Sequence, residues 1–192
     1  MLLRETASLK QNPTPLSFED LKEPETDEGE VLIRVTRCGV CHTELDEIEG
    51  RTPPPRLPVV LGHQVVGSVE AGKRKGQRVG VAWIASACGK CHHCLAGNEN
   101  LCSEFKATGR DINGGYAEYM KVRTDFVHQI PDAFTDSEAA PLLCSGAIGY
   151  RSLRLSNIQD GQSLGLMGFG GSNHLVLKMA KHKFPNLKVF VF

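Results

Sequence analysis

The sequence lacks three features that would assign it to common classes of protein. No apolar run approaches the ~18 residues of a membrane-spanning helix, and the start, Met1-Leu2-Leu3-Arg4, lacks the apolar segment of a secretory signal peptide. Lysine plus arginine equals aspartate plus glutamate, at 22 residues each, so no excess of positive charge favours nucleic acid or an anionic membrane as a partner. The sequence therefore predicts a cytoplasmic protein that binds neither nucleic acid nor a membrane.

Cysteine, in contrast, is abundant for a protein of a reducing compartment. The chain of 192 residues contains seven cysteines, and metal binding or catalysis explains them better there than disulfides do. Four of them follow the spacing C-x2-C-x2-C-x7-C, at Cys88, Cys91, Cys94 and Cys102. Two-residue gaps let successive thiolates converge on one tetrahedral zinc ion, and four thiolates leave no position for a substrate. We predict a structural zinc here, in preference to disulfides or unligated thiols.

Short strands separated by glycine and proline dominate the sequence before Thr135. Val31, Ile33 and Val35 alternate with Leu32, Arg34 and Thr36, which is typical of a strand. Many short strands of this kind predict a barrel-like β domain. Thr135-Asp136-Ser137-Glu138 then matches a capping box, which predicts the start of a helix. A second helical segment is predicted over 147–155.

The sequence pattern changes again at Ser163. An apolar strand over 163–167 is followed by the glycine-rich turn Gly168-Phe169-Gly170-Gly171, a helix over 172–184 and a second apolar strand over 187–192. A strand, a tight glycine turn, a helix and a strand are the opening of a parallel α/β unit. We expect this segment to begin a second domain.

The other cysteines are far apart in the sequence, so their spacing carries little information. Cys41 and Cys144 occur singly, and His63 follows a glycine between two strands. Taken alone, such a histidine is more often a hydrogen-bonded core residue than a metal ligand. Thr43 taken alone is an ordinary turn residue, and Trp83 is equally well explained as a half-buried strand residue or as part of a pocket.

Several segments together resemble the zinc-dependent medium-chain alcohol dehydrogenases, over essentially the whole chain. The segments, in the order of that family, are Cys38-Gly39-Val40-Cys41-His42-Thr43, Leu61-Gly62-His63, the four-cysteine loop, Gly114-Gly115-Tyr116-Ala117-Glu118-Tyr119 and Leu142-Leu143-Cys144-Ser145-Gly146. The resemblance implies a mixed fold. A GroES-like β-barrel catalytic domain over 1–155 would be followed, over 156–192, by the first β-α-β unit of an incomplete Rossmann domain.

The resemblance also implies a catalytic zinc held by Cys41, His63 and Cys144, with a fourth position for water or substrate. Zinc acts as a Lewis acid that lowers the pKa of a bound alcohol. The expected reaction is oxidation of an alcohol to an aldehyde or ketone, or the reverse, with hydride transfer to NAD or NADP. In this reading Thr43 relays the alcohol proton.

Further roles are implied for residues near these ligands. His42 matches a position near the cofactor phosphate or the proton relay, and Glu44 matches a carboxylate that orients His63. Relatives often have the shorter aspartate at the position of Glu44. Trp83 resembles an aromatic residue that lines the substrate pocket.

The glycine turn resembles the dinucleotide-binding turn. Gly168 would permit the tight turn, and Gly170 and Gly171 would let the backbone approach the cofactor pyrophosphate at the helix N-terminus. Asn173 departs from the pattern, which has glycine or alanine there. Gln64 replaces a glutamate that is common after the family's Gly-His.

The function predicted from these features is that of an alcohol dehydrogenase, or of its N-terminal part, acting on small alcohols and aldehydes. Family members are considerably longer, so residues 1–192 alone are expected to be inactive, and the preference between NAD and NADP stays open. A homo-oligomer is a further expectation. The main alternative is a zinc-bound module without turnover, either a pseudoenzyme or an interaction domain. A zinc-free quinone reductase is disfavoured by Cys41, Cys144 and the four-cysteine loop.

Overall fold

A five-stranded antiparallel sheet forms the centre of the larger of two compact units. The computed structural model describes all residues 1–192, and packing divides them into Met1–Ala140 and Pro141–Phe192. The strands are β1 Leu2–Leu3, β2 Leu16–Ser17, β3 Glu30–Cys38, β4 Val59–Val60, β5 Val65–Ala71, β6 Arg78–Val81, β7 Ile84–Ser86, β8 Lys106–Ala107, β9 Tyr119–Arg123, β10 Val127–Gln129, β11 Ser163–Leu166 and β12 Lys188–Val191.

Five α-helices accompany these strands. They are α1 His42–Ile48, α2 His92–Leu95, α3 Asp136–Ala139, α4 Ser145–Leu155 and α5 Gly171–Lys183. None of the five combines the length and the apolar character that crossing a membrane would need.

The strand β3 lies inside the main sheet, whose order is β10-β6-β5-β3-β9. It pairs antiparallel with both β5 and β9. Its alternating residues Val31 and Ile33 are completely buried and pack in a cluster with Val65, Val79 and other apolar residues from the neighbouring strands. The predicted strand is therefore confirmed, and one of its faces supplies the core of the unit. The alternation is incomplete, because Leu32 between Val31 and Ile33 is also buried.

Two smaller sheets extend the first unit. One has the order β2-β1-β4, and the other pairs β7 with β8. A second apolar cluster joins β1 and β4 to the end of α1, through Leu3, Val59, Leu61 and Ile48. This cluster is what holds α1 against the body of the unit, since a helix of seven residues is too short to be stable alone.

The predicted capping box is confirmed at the start of α3. The backbone N–H of Glu138 donates to Thr135 Oγ1 at 3.3 Å, and the backbone N–H of Thr135 donates to Glu138 Oε2 at 2.9 Å. The helix is only one turn long and continues as a 3-10 helix over Ala140–Leu143. Pro141 falls inside that 3-10 segment.

The second unit contains the predicted strand, turn, helix and strand. β11 and β12 pair in parallel, and α5 runs between them in sequence, as predicted. The preceding helix α4 packs on α5 where Gly149 meets Val176. Packing divides the chain after Ala140, so α4 falls in the second unit. The domain boundary between residues 155 and 156 stays a prediction.

Candidate metal centres

The four-cysteine loop brings its thiols together within one short segment of the first unit. The Sγ atoms of Cys88, Cys91, Cys94 and Cys102 all lie within 4.8 Å of one another. The Sγ atoms of Cys91 and Cys94 are 3.5 Å apart, and those of Cys88 and Cys94 are 3.9 Å apart. Two Zn–S bonds of ~2.3 Å at a tetrahedral angle would separate the sulfurs by about 3.8 Å. These separations fit a zinc ion, and the four thiols form no disulfide.

Backbone N–H groups donate hydrogen bonds to two of the four sulfurs of the loop. The N–H of Cys91 donates to Cys88 Sγ at 3.4 Å, and the N–H groups of Cys88 and Glu104 donate to Cys102 Sγ at 3.5 and 3.4 Å. Backbone hydrogen bonds from Lys90 and Cys91 lower the pKa of Cys88 to about 6. Since a thiolate and not a thiol binds a metal, these bonds favour the ligating form of Cys88, whereas burial raises the pKa of Cys94 to about 12.

Cys41 and His63, the first two residues of the second candidate site, lie on different segments of the same unit. Cys41 is the N-cap of α1 and has an extended backbone, with φ −131° and ψ 164°. Glu44 follows in the first turn of the helix, and its Oε2 accepts the backbone N–H of Cys41 at 2.8 Å. This bond satisfies one of the exposed donors at the helix start and turns the Glu44 carboxylate towards the N-terminus.

His63 lies in the bend between β4 and β5, which is held by backbone hydrogen bonds from the segment 114–116. The N–H groups of Gly115 and Tyr116 donate to the carbonyls of Gly62 and Leu61, each at 2.9 Å. Gly62 has φ +98°, and a Cβ there would lie 2.6 Å from a ring carbon of Tyr116. Only glycine satisfies both conditions, so Gly62 determines where the neighbouring imidazole sits.

Glu44 contacts the buried imidazole of His63. His63 Nδ1 lies 2.6 Å from Glu44 Oε1, although the ring N–H is not aligned for a regular hydrogen bond. The two residues are only 1% and 2% exposed. Because Nδ1 faces the carboxylate, Nε2 is the nitrogen left to bind a metal. The ligand atoms of Cys41 and His63 lie within 4.8 Å of each other, so the pair can contribute two ligands to one ion.

The remaining predicted site residues of the first unit, Thr43, His42 and Trp83, differ in their exposure and in their contacts with this pair. Thr43 Oγ1 lies 3.6 Å from Cys41 Sγ. His42 is largely exposed, with Nε2 3.6 Å from Asp46. Trp83 stacks edge to face on His63, with ring centroids 5.0 Å apart and planes at 81°. Trp83 therefore forms a wall beside the histidine.

The other predicted site residues lie in the second unit. Cys144 is the N-cap of α4. Gly168 has φ +75°, and α5 begins at Gly171 with Gly170 as its N-cap. Nothing lies within 4 Å of a Cβ placed on Gly168 or Gly170, which leaves room for a ligand to approach the turn.

Three features of these centres were not predicted. The helix α1 was missed, because seven residues are too few to show a clear helical period. The side chain of Asn173 closes the glycine turn by donating to the carbonyls of Met167 and Gly168 at 2.8 and 3.0 Å. The guanidinium of Arg110 stacks on Trp83 at 5.6 Å from the ring centroid. Such tertiary contacts leave no periodic pattern in the sequence.

Known proteins similar to this chain agree with the resemblance carried by the motifs. An alcohol dehydrogenase of Geobacillus stearothermophilus is 38% identical over 182 residues, covering 91% of this chain and 54% of that protein. A probable alcohol dehydrogenase, AdhA, of Mycobacterium tuberculosis is 44% identical over 177 residues, covering 86% and 51% respectively. The chain thus spans about half the length of the curated relatives it matches.

The fold of the chain is also similar to that of solved alcohol dehydrogenases. The solved structure of a cobalt- and zinc-bound thermostable alcohol dehydrogenase from Pyrobaculum aerophilum matches with a TM-score of 0.86 and 25% identity, over 98% of this chain and 57% of that one. The family model of the alcohol dehydrogenase GroES-like domain matches residues 27–132, which include Cys41, His63 and the four-cysteine loop. The chain therefore belongs to the family of the alcohol dehydrogenase GroES-like domain.

Proposed function

We propose that this chain is the zinc-binding catalytic part of an alcohol dehydrogenase, together with the start of its dinucleotide-binding domain. The reaction would be oxidation of small alcohols to aldehydes or ketones, and the reverse, with NAD or NADP. The observation that carries the proposal is the approach of Glu44 to His63 beside Cys41. A carboxylate behind a metal-ligating histidine is a common arrangement in zinc sites.

The proposed catalytic metal is zinc, bound by Cys41 Sγ, His63 Nε2 and the thiolate of Cys144. The support for Cys144 is the resemblance of Leu142-Leu143-Cys144-Ser145-Gly146 to the family motif, and the support for the other two is their proximity. Two thiolates and a histidine are a ligand set that leaves a fourth position open. When bound, zinc supplies Lewis acidity towards a substrate oxygen.

The chain's own residues would orient the substrate and move its proton. Thr43, close to Cys41 Sγ, would accept the hydroxyl proton of the alcohol and pass it outward. His42 is exposed next to Asp46 and would deliver that proton to solvent or contact a cofactor phosphate. Trp83, which stacks on His63, would form an apolar wall that excludes water from the reacting carbon.

The glycine turn of the second unit is the proposed cofactor site. The positive φ of Gly168 and the open space around Gly170 suit a pyrophosphate at the N-terminus of α5, where backbone N–H groups favour an anion. We also propose a cytoplasmic location, supported by the four neighbouring thiols of the loop, which a reducing compartment would preserve. The homo-oligomer stays a prediction.

The proposal is tested by metal content and turnover together. Elemental analysis of the purified chain should give about two zinc ions per chain, and Cys41→Ser and Cys91→Ser should each remove about one. The longest reading frame that contains residues 1–192 should reduce NAD or NADP with a primary alcohol, as followed by nicotinamide absorbance. Cys41→Ser in that protein should abolish the reduction.

The 192-residue chain itself is expected to show no appreciable turnover, because positioning of the nicotinamide supplies a large part of such catalysis. A zinc-bound module without turnover would give two zinc ions but no reduction in any longer frame. That result would replace our proposal with the alternative.

A further inference from the structure

Glu47 is a completely buried carboxyl that the proposed zinc chemistry does not use. It has no exposed surface, and neither of its oxygens has a hydrogen-bond partner. An ionised carboxylate in such a place would cost far more than a neutral acid, because nothing replaces the water that the charge has lost. Burial of this kind therefore favours the protonated, neutral form of Glu47.

The charged groups around Glu47 do not offer it a counter-ion of its own. Glu44 and Asp46 face it from α1, and Arg110 and Asp111 face it from the loop that follows β8. The guanidinium of Arg110 is already held by Asp111, with Nη2–Oδ2 at 2.8 Å and Nε–Oδ1 at 3.3 Å. The positive charge of Arg110 is thus largely neutralised by Asp111 and does not serve as a counter-ion for Glu47.

The phenol of Tyr116 also approaches Glu47, and burial raises its pKa, so it adds no positive charge. Burial, followed by the charge of Glu44, raises the pKa of Glu47 to about 8. Geometry and electrostatics agree that Glu47 is a neutral carboxylic acid near pH 7.

The position of Glu47 in α1 connects its protonation to the Cys41 and His63 pair. It lies three residues after Glu44, and therefore on the same side of the helix, and the next residue, Ile48, packs in the cluster with Leu3 and Val59. If Glu47 ionised, the charge could be hydrated only by letting water under α1. The helix is seven residues long and would not hold its place without that packing.

We propose that Glu47 is a positioning residue: as a neutral acid it lets α1 lie against the unit and so holds Cys41 and Glu44 beside His63, whereas its ionisation loosens the hold on a metal ion. This inference rests on the proposed zinc site at Cys41 and His63. It adds to that proposal a residue that touches neither metal nor substrate.

The test measures zinc retention of the 192-residue chain between about pH 6 and about pH 9. Wild type, Glu47→Gln and the control Glu49→Gln are dialysed against a chelator, each with and without Cys41→Ser. The difference in zinc per chain made by Cys41→Ser reports the occupancy of this site and subtracts the four-cysteine loop. Glu49 is the adjacent helix-end carboxylate, and it pairs with Arg51 near the surface.

We expect wild type and Glu49→Gln to hold at least about fivefold less zinc at this site than Glu47→Gln at the alkaline end, and equal amounts at the acidic end. Parallel profiles for wild type and Glu47→Gln would overturn the inference and leave the zinc site standing. Stronger retention by wild type at alkaline pH would overturn it too, since the charge would then be holding the metal. Absence of this zinc at every pH would overturn both proposals.

A second measurement avoids dependence on the folding of the Glu47→Gln variant. Infrared spectra of wild type should contain the carbonyl stretch of a buried, protonated carboxylic acid at pH 7, and that band should disappear over the same pH range in which the zinc is lost. A wild-type spectrum at pH 7 without the band, or a band that persists while the zinc is released, would contradict the inference.

Discussion

The two candidate metal centres of the first unit differ in how far apart in the sequence their ligands lie. All four cysteines of the loop fall within 88–102, and the sulfurs of Cys88 and Cys102 accept hydrogen bonds from backbone N–H groups of residues 88–104. Cys41 and His63 instead come from the start of α1 and from the bend between β4 and β5, and the bend is held by Gly114–Tyr116 from a third segment.

This difference predicts how each centre responds to change. A local site requires only its loop to close, whereas an assembled site requires several separate segments to fold together before any ligand meets another. The loop should therefore keep its metal through perturbations elsewhere in the unit. The Cys41 and His63 pair should lose metal whenever α1, the bend or Glu44 is disturbed.

The largest expected effect comes from breaking the local site itself. Cys91→Ser removes one of four thiolates, and the free energy of zinc binding that stabilises the fold is lost with it. We expect a loss of roughly 3 kcal/mol or more in the free energy of unfolding, measured by thermal melts alongside zinc content. Ser103→Ala, at an exposed position of the same loop, serves as the control.

Cys41→Ser should lower the melting temperature far less than Cys91→Ser. The segments that carry Cys41 and His63 must pack together before a metal can bind, so metal binding at this site contributes less to folding. Equal losses from the two variants would mean that both centres stabilise the unit alike, and the comparison would fail.

The next effect separates the centres by backbone geometry. Gly62→Ala forces a Cβ to within 2.6 Å of Tyr116 and 2.8 Å of Cys38 Sγ at a φ of +98°. We expect a loss of about 2–4 kcal/mol in unfolding free energy and loss of the zinc at His63, while the loop keeps its own. Chemical denaturation and zinc analysis would measure the two outcomes.

Gly76→Ala is the matched control for that variant. Gly76 has φ +81° but nothing within 4 Å of an added Cβ, so only the backbone strain of about 1 kcal/mol remains. If Gly62→Ala cost no more than Gly76→Ala, close packing against Tyr116 would not be what locates His63.

A smaller effect is expected when only the carboxylate behind His63 is removed. Glu44→Ala deletes the contact to His63 Nδ1 and the acceptor of the Cys41 N–H. Loss of such a partner weakens metal binding by about 10–100-fold, to be measured by competition with a chelator. Glu49→Ala is the control. An equal loss of zinc from the four-cysteine loop would show that the two centres are not independent.

The smallest effect concerns an ion pair that ties α3 to the main sheet. Asp136 accepts hydrogen bonds from Arg78 Nε at 2.7 Å and from Thr36 Oγ1, and the Thr36 and Arg78 bonds hold the pKa of Asp136 below its usual range. Because its pKa is lower in the folded state than in the unfolded state, the carboxylate stabilises the fold above the unfolded pKa of about 3.9 and loses that contribution as the pH falls.

Asp136→Asn should therefore lower the free energy of unfolding by roughly 0.5–1 kcal/mol at pH 7, a modest value because the pair is partly exposed. The gap to wild type should begin to narrow below about pH 4 and close once the pH falls below the lowered pKa of Asp136, as measured by urea denaturation at pH 7 and at a series of pH values below 4. Asp132→Asn, at an exposed position nearby, is the control. A gap that stays constant with pH would assign the effect to packing and not to charge.

Features with a short-range physical cause were predictable from the sequence. The strand β3, the capping box at Thr135 and Glu138, and the strand, turn, helix and strand of the second unit are all confirmed. In each case the residues that interact are close in sequence or follow a regular period. The proximity of the four loop thiols follows from the same kind of local spacing.

Features that depend on distant segments were predictable only through resemblance or were missed. α1 has no clear apolar period, because two of its buried residues are Glu44 and Glu47. Asn173 departs from the glycine-turn pattern, yet its side chain closes the turn. Nothing in composition or spacing distinguishes such residues from exposed ones.

The sequence by itself determined the local parts of this protein: its strands, its capped helix start, its glycine turn and a loop whose thiol spacing suits one tetrahedral ion. Only the tertiary structure decided that Glu44 faces His63, that Gly62 leaves room for Tyr116, and that Glu47 is buried without a partner. The physical reason is range. Hydrogen bonds and side-chain periodicity within a few residues act before the chain is compact, whereas burial and the contacts of a buried charge exist only once distant segments have packed together.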